Sequence, residues 1–301
     1  MKFTIKSIFP PIDFGWNHVR ARCGLTPCHS KLLMRPSPQS RVGIQVGGTW
    51  YCSVDCFVTA SREPLAALCA GRIVEMPRTP RLSLGLAMLS KGLVTEAELR
   101  AATDRADRTG EDLEVVLLQL ELASEKQIAA GRAAQWGAPV LGSEMAGHTV
   151  TAGVPQSLLR AHGAVPLHYA APSKRLVLGF VHRVEHSLLQ SIEQAAGCRT
   201  EACFVTSSEF EEQAARVMAP ADYEEVVVTE PESPAHMART LGYHAVEAAA
   251  REVRLVRCNS WIWGRIEGKR QTIDVVFALR HGARSASSQV FHETVQSRGW
   301  N

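Results

Sequence analysis

Between residues 83 and 135 the apolar positions repeat with a shift of 29. Leu84 stands where Leu113 does, Ala87 where Val116 does, Met88 where Leu117 does and Leu89 where Leu118 does. Leu93 then matches Leu122, and Leu99 matches Ile128. Two 24-residue copies, 83–106 and 112–135, are separated by a five-residue spacer. Internal repeats of this kind fix the architecture before any single motif does. Each copy predicts a short apolar helix, a break and a second helix. The break carries a start signal: Thr95 precedes Glu98 by three residues, and Ser124 precedes Gln127 by three. That is the spacing at which a hydroxyl and a carboxylate or amide satisfy the free N–H groups of a helix start. Two such hairpins can bury their apolar stripes on each other as a four-helix unit.

Residues 224–235 are rich in proline and acids and predict a linker. Residues 236–250 predict a helix. RLVRC, SWIWGRIE and TIDVVFAL then alternate as strands, with EGKR as one turn. Trp261 and Trp263, two apart, share a face that is core or a binding surface, with core the expectation. The tail, 281–301, is rich in Ser, Arg and Gln and predicts a loosely attached segment.

The repeat layout is similar to the MshEN domain, found at the N-terminus of type II secretion and type IV pilus assembly ATPases. The resemblance spans about 83–223, with Tyr223 at the aromatic that commonly ends the last helix of that family. It implies a four-helix repeat followed by a small α/β part, in which GVPQSLLRAHGAVPLHY (153–169) resembles the family's short helix and strand, RLVLGFV (175–181) the partner strand, VEHSLLQSIEQAAG (184–197) the following helix and TEACFVTSSEFEEQAARVM (200–218) the last strand and helix. It also implies a ligand, because some members bind cyclic di-GMP through a leading Arg, small Gly positions and a closing Gln in each motif. In this chain the first motif has Ser83 for the Arg, keeps Gly85 and Gly92, and closes on Ala106. The second has Asp112 for the Arg, Glu114 and Glu121 for the glycines, and keeps Gln135. Arg81 lies two residues upstream of the first motif. The residues left to contact a nucleotide are therefore Arg81, Gly85, Gly92 and Gln135, a degenerate set. Arginine recognises phosphate and guanine through a planar fork, which neither Ser83 nor Asp112 supplies.

A second pattern lies upstream. Cys23-x4-Cys28 and Cys52-x3-Cys56 are two short cysteine pairs flanking a stretch that reads as a hairpin: Val42, Ile44 and Val46 alternate, Gly47-Gly48 turns, and Trp50 follows. The second pair opens a helix. Two such pairs deliver the four soft ligands of a structural zinc. A site with His29 or His18 replacing one sulfur, or a set of ordinary thiols, also fits the spacing. Knuckle, hairpin and ligand pair at a helix start resemble a treble-clef zinc finger. The W-Y-C-S-x-x-C piece is similar to fingers of the FCS type. Cys69, Cys198, Cys203 and Cys258 are scattered and read as inert thiols.

The predicted class is α+β. A zinc-finger module spans 1–62, a connector 63–80 (with a short helix near 63–75), and an MshEN-like domain 81–223. That domain divides into a helical repeat at 83–135 and an α/β part at 150–223. The linker and a small α+β region at 236–301, a helix with a β-hairpin or meander, complete the chain. Residues 1–62 hold eight Lys and Arg against two acids, while the whole chain is at +3. A basic N-terminal module is an anionic-partner surface in principle, but nucleic-acid binding is the weakest reading because the basic residues are not concentrated. No apolar run reaches the length of a membrane span. The N-terminus lacks a secretory signal, so the expected location is cytoplasmic. A G-x-x-x-x-G-K-[ST] loop, which cradles phosphates in the ATPases that carry this module, is absent. Gly268-Lys269 falls in the predicted EGKR turn, and His182 and His186, four apart, are weak as a metal pair. The expected function is a non-catalytic adaptor or regulator that docks a protein of a secretion, pilus or signalling system. A cyclic di-GMP sensor is the alternative.

Overall fold

A computed structural model describes residues 20–28, 31–33, 43–46, 48–71, 82–142, 153–217 and 223–279. Arg81, His18, His29 and the tail 281–301 lie outside the described residues. The molecule mixes helix and strand, as expected for α+β.

The repeat folds as its pattern predicts. α2 (Leu84–Ser90) and α3 (Glu96–Thr109) form the first hairpin, α4 (Leu113–Gln119) and α5 (Glu125–Trp136) the second. Both capping boxes are made, Thr95 with Glu98 and Ser124 with Gln127. Met88, Val94, Ala102, Val116, Leu117 and Ile128 fill the space between the hairpins. The α/β part follows: α6 (Gln156–Ala161), β5 (Ala164–Ala170), β6 (Arg175–Phe180), α7 (His186–Ala196), β7 (Arg199–Phe204) and α8 (Ser207–Arg216). β5 pairs antiparallel with β6, and β6 parallel with β7 across the α7 crossover.

The expected linker is corrected. Residues 223–229 form strand β8 (Tyr223–Thr229), parallel to β11 (Thr272–Ala278). Three successive valines, Val226 to Val228, favour an extended, packed chain. The Ser233-Pro234 pair is a helix start: Ser233 caps α9 (Pro234–Glu247) and Pro234 stands at its first position. Tyr223, expected to end a helix, instead opens β8, since α8 stops at Arg216.

β9 (Ala250–Cys258) and β10 (Trp261–Gly268) complete the C-terminal meander with β11. The N-terminal module does not stand apart from it. Its hairpin, β3 (Ile44–Val46) and β4 (Thr49–Tyr51), extends the same sheet, which runs β4-β3-β9-β10-β11-β8. β1 (Arg20–Arg22) and β2 (Lys31–Leu33) pair separately. The helix after the second cysteine pair, α1 (Val54–Ala70), continues through Pro64 and absorbs most of the helix expected at 63–75. Proline removes one backbone donor. Phe57, Ser61 and Leu65 nevertheless keep one buried stripe across it. Arg257 of β9 caps the far end of α1, donating to the carbonyls of Leu68, Cys69 and Gly71. A cation there complements the helix dipole that the last turn of α1 leaves without a basic residue.

The six-stranded sheet is covered on both faces. Ile44, Phe57 and Leu65 join Leu241, Ile262, Ile266 and Phe277 in one core beneath α1 and α9. On the other face Trp263, Val256 and Val276 join Leu158, Leu188, Ile192 and Phe204 of the α/β part. Trp261 packs against that second cluster, so the tryptophan pair is core.

A charged row crosses the second face. Arg254 of β9 stands opposite Arg265 of β10, Arg265 opposite Asp274 of β11, and Asp274 opposite Glu225 of β8. Arg254 donates to the Ala195 carbonyl at the C-terminus of α7 (2.8 Å), and Arg265 to the Gly153 carbonyl (2.5 Å). Glu225 accepts the first amides of α6, from Gln156 (2.7 Å) and Ser157 (2.9 Å). Cation meets helix C-terminus and anion meets helix N-terminus, so the row orients the α/β part on the sheet. Asp274 is fully buried, and burial pushes its carboxyl up to about 6 against the pull of Arg265. Its folded pKa lies above its unfolded one. Its contribution is therefore fully present below about pH 4 and is lost as pH rises through about 6. Asp274→Asn should remove a fall of about 1–3 kcal/mol between those values. Urea unfolding of both proteins across pH 4–8 checks this; identical pH profiles would show that Asp274 is ionised at no cost.

Candidate functional site

The four predicted cysteine ligands come together. Their sulfurs all lie within 4.8 Å of one another. The Cys28–Cys52 separation is 3.5 Å and Cys52–Cys56 is 3.6 Å. An ion about 2.3 Å from four tetrahedral sulfurs requires edges of about 3.8 Å, so the arrangement fits a metal ion. All four thiols are free of disulfides. Among the described residues this is the one such group of metal-ligating side chains.

Local chain structure builds the set. The first pair sits on a tight turn in which Cys28 N–H donates to Leu25 O (2.9 Å). The Gly24 amide donates to Trp50 O (2.8 Å), tying that turn to β4. The second pair brackets the start of α1. Ser53 caps the helix, its hydroxyl accepting from Cys56 N–H (3.2 Å). Tyr51 and Phe57 meet edge to face just below, with ring centroids 6.4 Å apart. Knuckle, hairpin and capped helix thus fix the ligands from three directions, the arrangement of a treble-clef finger.

The other cysteines are packed. Burial pushes the Cys203 and Cys258 thiols up to about 12, and raises those of Cys69 and Cys198. Thiols that hold their protons are poor nucleophiles and poor ligands. The histidine pair is separated by function as well as direction. His182 Nδ1 lies 3.4 Å from a Glu114 carboxylate oxygen, while His186 packs against Trp136 with centroids 6.3 Å apart.

The nucleotide candidates divide. Gly85 is buried; a Cβ there would stand 2.7 Å from Leu99 and 3.3 Å from Leu113. Gln135 donates its side-chain amide to Leu82 O (2.8 Å), so it closes α5 onto the entry to α2. Gly92 lies at the opposite end of α2, in the turn after it. Ser83 and Asp112, which stand where the family has arginine, are the N-cap residues of α2 and α4. The replacements for glycine carry physical consequences. Glu114 is ion-paired with Arg132, which also donates to His182 O (2.6 Å). Burial pushes the Glu114 carboxyl up, but the His182 and Arg132 contacts outweigh it and hold it down at about 2. A charged carboxylate thus occupies the position at which the first copy has Gly85. The sequence carried a signal for it, a lone Glu in the apolar start of α4, but Arg132 and His182 lie too far along the chain to be read as its partners.

Glu121 shows how closely the repeat geometry is kept. Its φ is 53°, and that of the equivalent Gly92 is 65°. Leu93 N–H returns to Met88 O at 3.0 Å, and Leu122 N–H to Leu117 O at 3.0 Å. Both helices end by the same left-handed closure, one with the residue suited to it and one without.

No protein-family model matches the chain, and no curated protein matches it. Solved structures do. The structure of MshE with cdg is similar over 46% of this chain and 100% of its own, at 20% identity and a TM-score of 0.38. The structure of the N-terminal domain of XpsE is similar over 44% and 92%, at 19% identity and a TM-score of 0.34. A second crystal form of that domain covers 44% and 93%, at 20% identity and a TM-score of 0.29. No helix among the described residues is long and apolar enough to cross a membrane.

Two predictions rest on this geometry. Cys52→Ser should release bound metal, and hydrogen exchange should then quicken in α1 and β3 and also in β9, which β3 pairs with. Loss of protection confined to residues before α1 would show that the metal braces the finger alone. Glu121→Gly should stabilise the protein by about 0.5–1 kcal/mol in chemical denaturation, because a left-handed turn strains a residue with a Cβ. No change, or a loss, would place the strain elsewhere.

Proposed function

We propose that this chain is a non-catalytic adaptor of the MshEN-like kind. Its repeat docks a protein partner of a secretion, pilus or signalling system. Zinc held by Cys23, Cys28, Cys52 and Cys56 braces the sheet on which the repeat domain is mounted. Four thiolates close the coordination shell, which suits a structural ion rather than one that must bind substrate.

The observation that carries the docking reading is a pair of repeat-equivalent apolar residues that face outward. Leu86 is 51% exposed and Val115 is 39% exposed. The two stand at the same place in the two copies, 29 residues apart. Leu82 and Leu118 are exposed beside them in sequence, on the same short helices or their entry. Scattered apolar residues need no explanation, but a position kept apolar in both copies and buried in neither calls for a covering surface.

A cyclic di-GMP sensor is the competing reading. It draws on Gly85 and Gln135 near the α2–α5 seam, and on MshE, a structural neighbour solved with cdg. Against it stand the two lost arginines, each a charge-assisted contact of about 1.5–3 kcal/mol, and the ion-paired Glu114. Two such losses move a micromolar ligand toward the millimolar range. Calorimetry with cyclic di-GMP should therefore show no binding at 100 µM protein (an experimental setting of about that order). Low-micromolar binding would overturn the adaptor reading in favour of the sensor, and Gln135→Ala should then abolish it.

A further inference from the structure

The outer face of the α1–α9 pair is a surface that neither the metal nor the repeat uses. The two helices run antiparallel. Cys69 Sγ lies 3.9 Å from Met237 Sδ at one end, and Gly242 faces Val54 and Val58 at the other. Any side chain at Gly242 would run into Val58, so the helices approach closely there. Outward from this seam lies an open groove of about 590 Å³ between the helices. Its centre is apolar: Tyr243 is 68% exposed and Val246 57% exposed, beside Val54 and Val58.

Charge divides the groove lengthwise. The antiparallel packing brings Asp55, in the first turn of α1, to the same end as Glu247, in the last turn of α9. Arg62 and Arg239 line the other end. Seven residues along α1 and eight along α9 separate acid from base, or about 10–12 Å. Among the described residues Asp55, Arg62 and Arg239 make no hydrogen bond or ion pair, and the Glu247 carboxylate meets only His244 of its own helix (2.9 Å).

We infer that this face pairs with the same face of a second copy of the chain. A two-fold axis through the apolar centre, perpendicular to the helices, lays each acidic end on the basic end of the other copy. Both ends are then matched at once, and Tyr243 and Val246 are buried between four helices. An isologous contact requires this self-complementarity: the residues of one pole must be answered by those of the other on the same patch. A parallel arrangement would set arginine on arginine and carboxylate on carboxylate. An aromatic anchor ringed by charges is also the usual anatomy of a specific interface.

The test is a charge exchange in the full-length protein, read by sedimentation velocity at several concentrations. The wild type should sediment at twice the chain mass, and Tyr243→Asp with Val246→Asp at the single mass. Arg62→Glu with Arg239→Glu should be monomeric, as should Asp55→Lys with Glu247→Lys. Mixing those two charge variants should restore the dimer, because each now supplies two like poles that only the other can answer. Circular dichroism identical to wild type checks that the variants fold, and restoration on mixing is itself evidence that both do. A wild type that stays monomeric, a dimer indifferent to these substitutions, or a mixture that stays monomeric would each overturn the proposal.

Discussion

The middle strands of the large sheet are apolar on both faces, and the rest of the molecule is arranged around that constraint. Ile262 and Trp263 are adjacent on β10 and point to opposite sides, yet neither is exposed. Val275, Val276 and Phe277 do the same on β11. A sheet of this kind cannot leave a face in water. Two layers must cover it, and the segment that supplies one lies in sequence between the two helices that supply the other. α1 and α9 cover one face, and the α/β part, 153–217, covers the other. Neither layer is dispensable, since each buries surface that the other cannot reach.

That arrangement would give an ion held by the four cysteines a reach beyond its own turn. β3 enters the sheet edge next to β9, in parallel, with only Gln45 and Val46 in register. So short a pairing contributes little by itself. It persists because the cysteine set fixes the hairpin against the start of α1, while α1 is fixed by Gly242 on one side and by Arg257 at its far end. The closed loop runs from metal to helix to β9 and back through β3. A constraint that joins segments more than 180 residues apart removes much conformational freedom from the unfolded chain. An ion bound at the sulfurs would therefore stabilise the C-terminal sheet as well as the finger.

Much of this was legible, and the failures have physical causes. Periodicity gave the repeat because Thr95, Glu98, Ser124 and Gln127 are local signals, complete within four residues. The cysteine set was legible because ligand chemistry is scarce and spacing is short. The strand at 223–229 was not. Its valines were outweighed by the acids and prolines around them, and an edge strand needs a partner, here β11, that lies about 50 residues on. The union of finger and C-terminal sheet was hidden for the same reason: a parallel pairing between residues 45–46 and 252–253 leaves no mark in either segment. The charged row had a trace, Asp274 alone in an apolar strand and Arg265 among aromatics. Its meaning depended on register across four strands, which no local pattern supplies.

The repeat shows what such a mount selects. Its two halves share backbone closure to the extent that Glu121 accepts a conformation suited to glycine, while the side chains at Gly85 and Glu114, and at Ala106 and Gln135, differ. Packing explains the difference. Met88 and Leu117 sit at equivalent places and are both fully buried, so the seam between hairpins tolerates no change in shape. Ser83 and Asp112 are exposed at the starts of α2 and α4; Ser83 Oγ accepts from Leu86 N–H, while Asp112 stands at the N-cap position without a side-chain cap bond. Glu114 pairs with Arg132 and His182, which makes it a contact with the β6–α7 connection. A half-buried ion pair at Glu114 gives that position a fixed geometry rather than a free surface one. The same contacts tie α4, which carries the exposed Val115, to the β6–α7 connection of the α/β part.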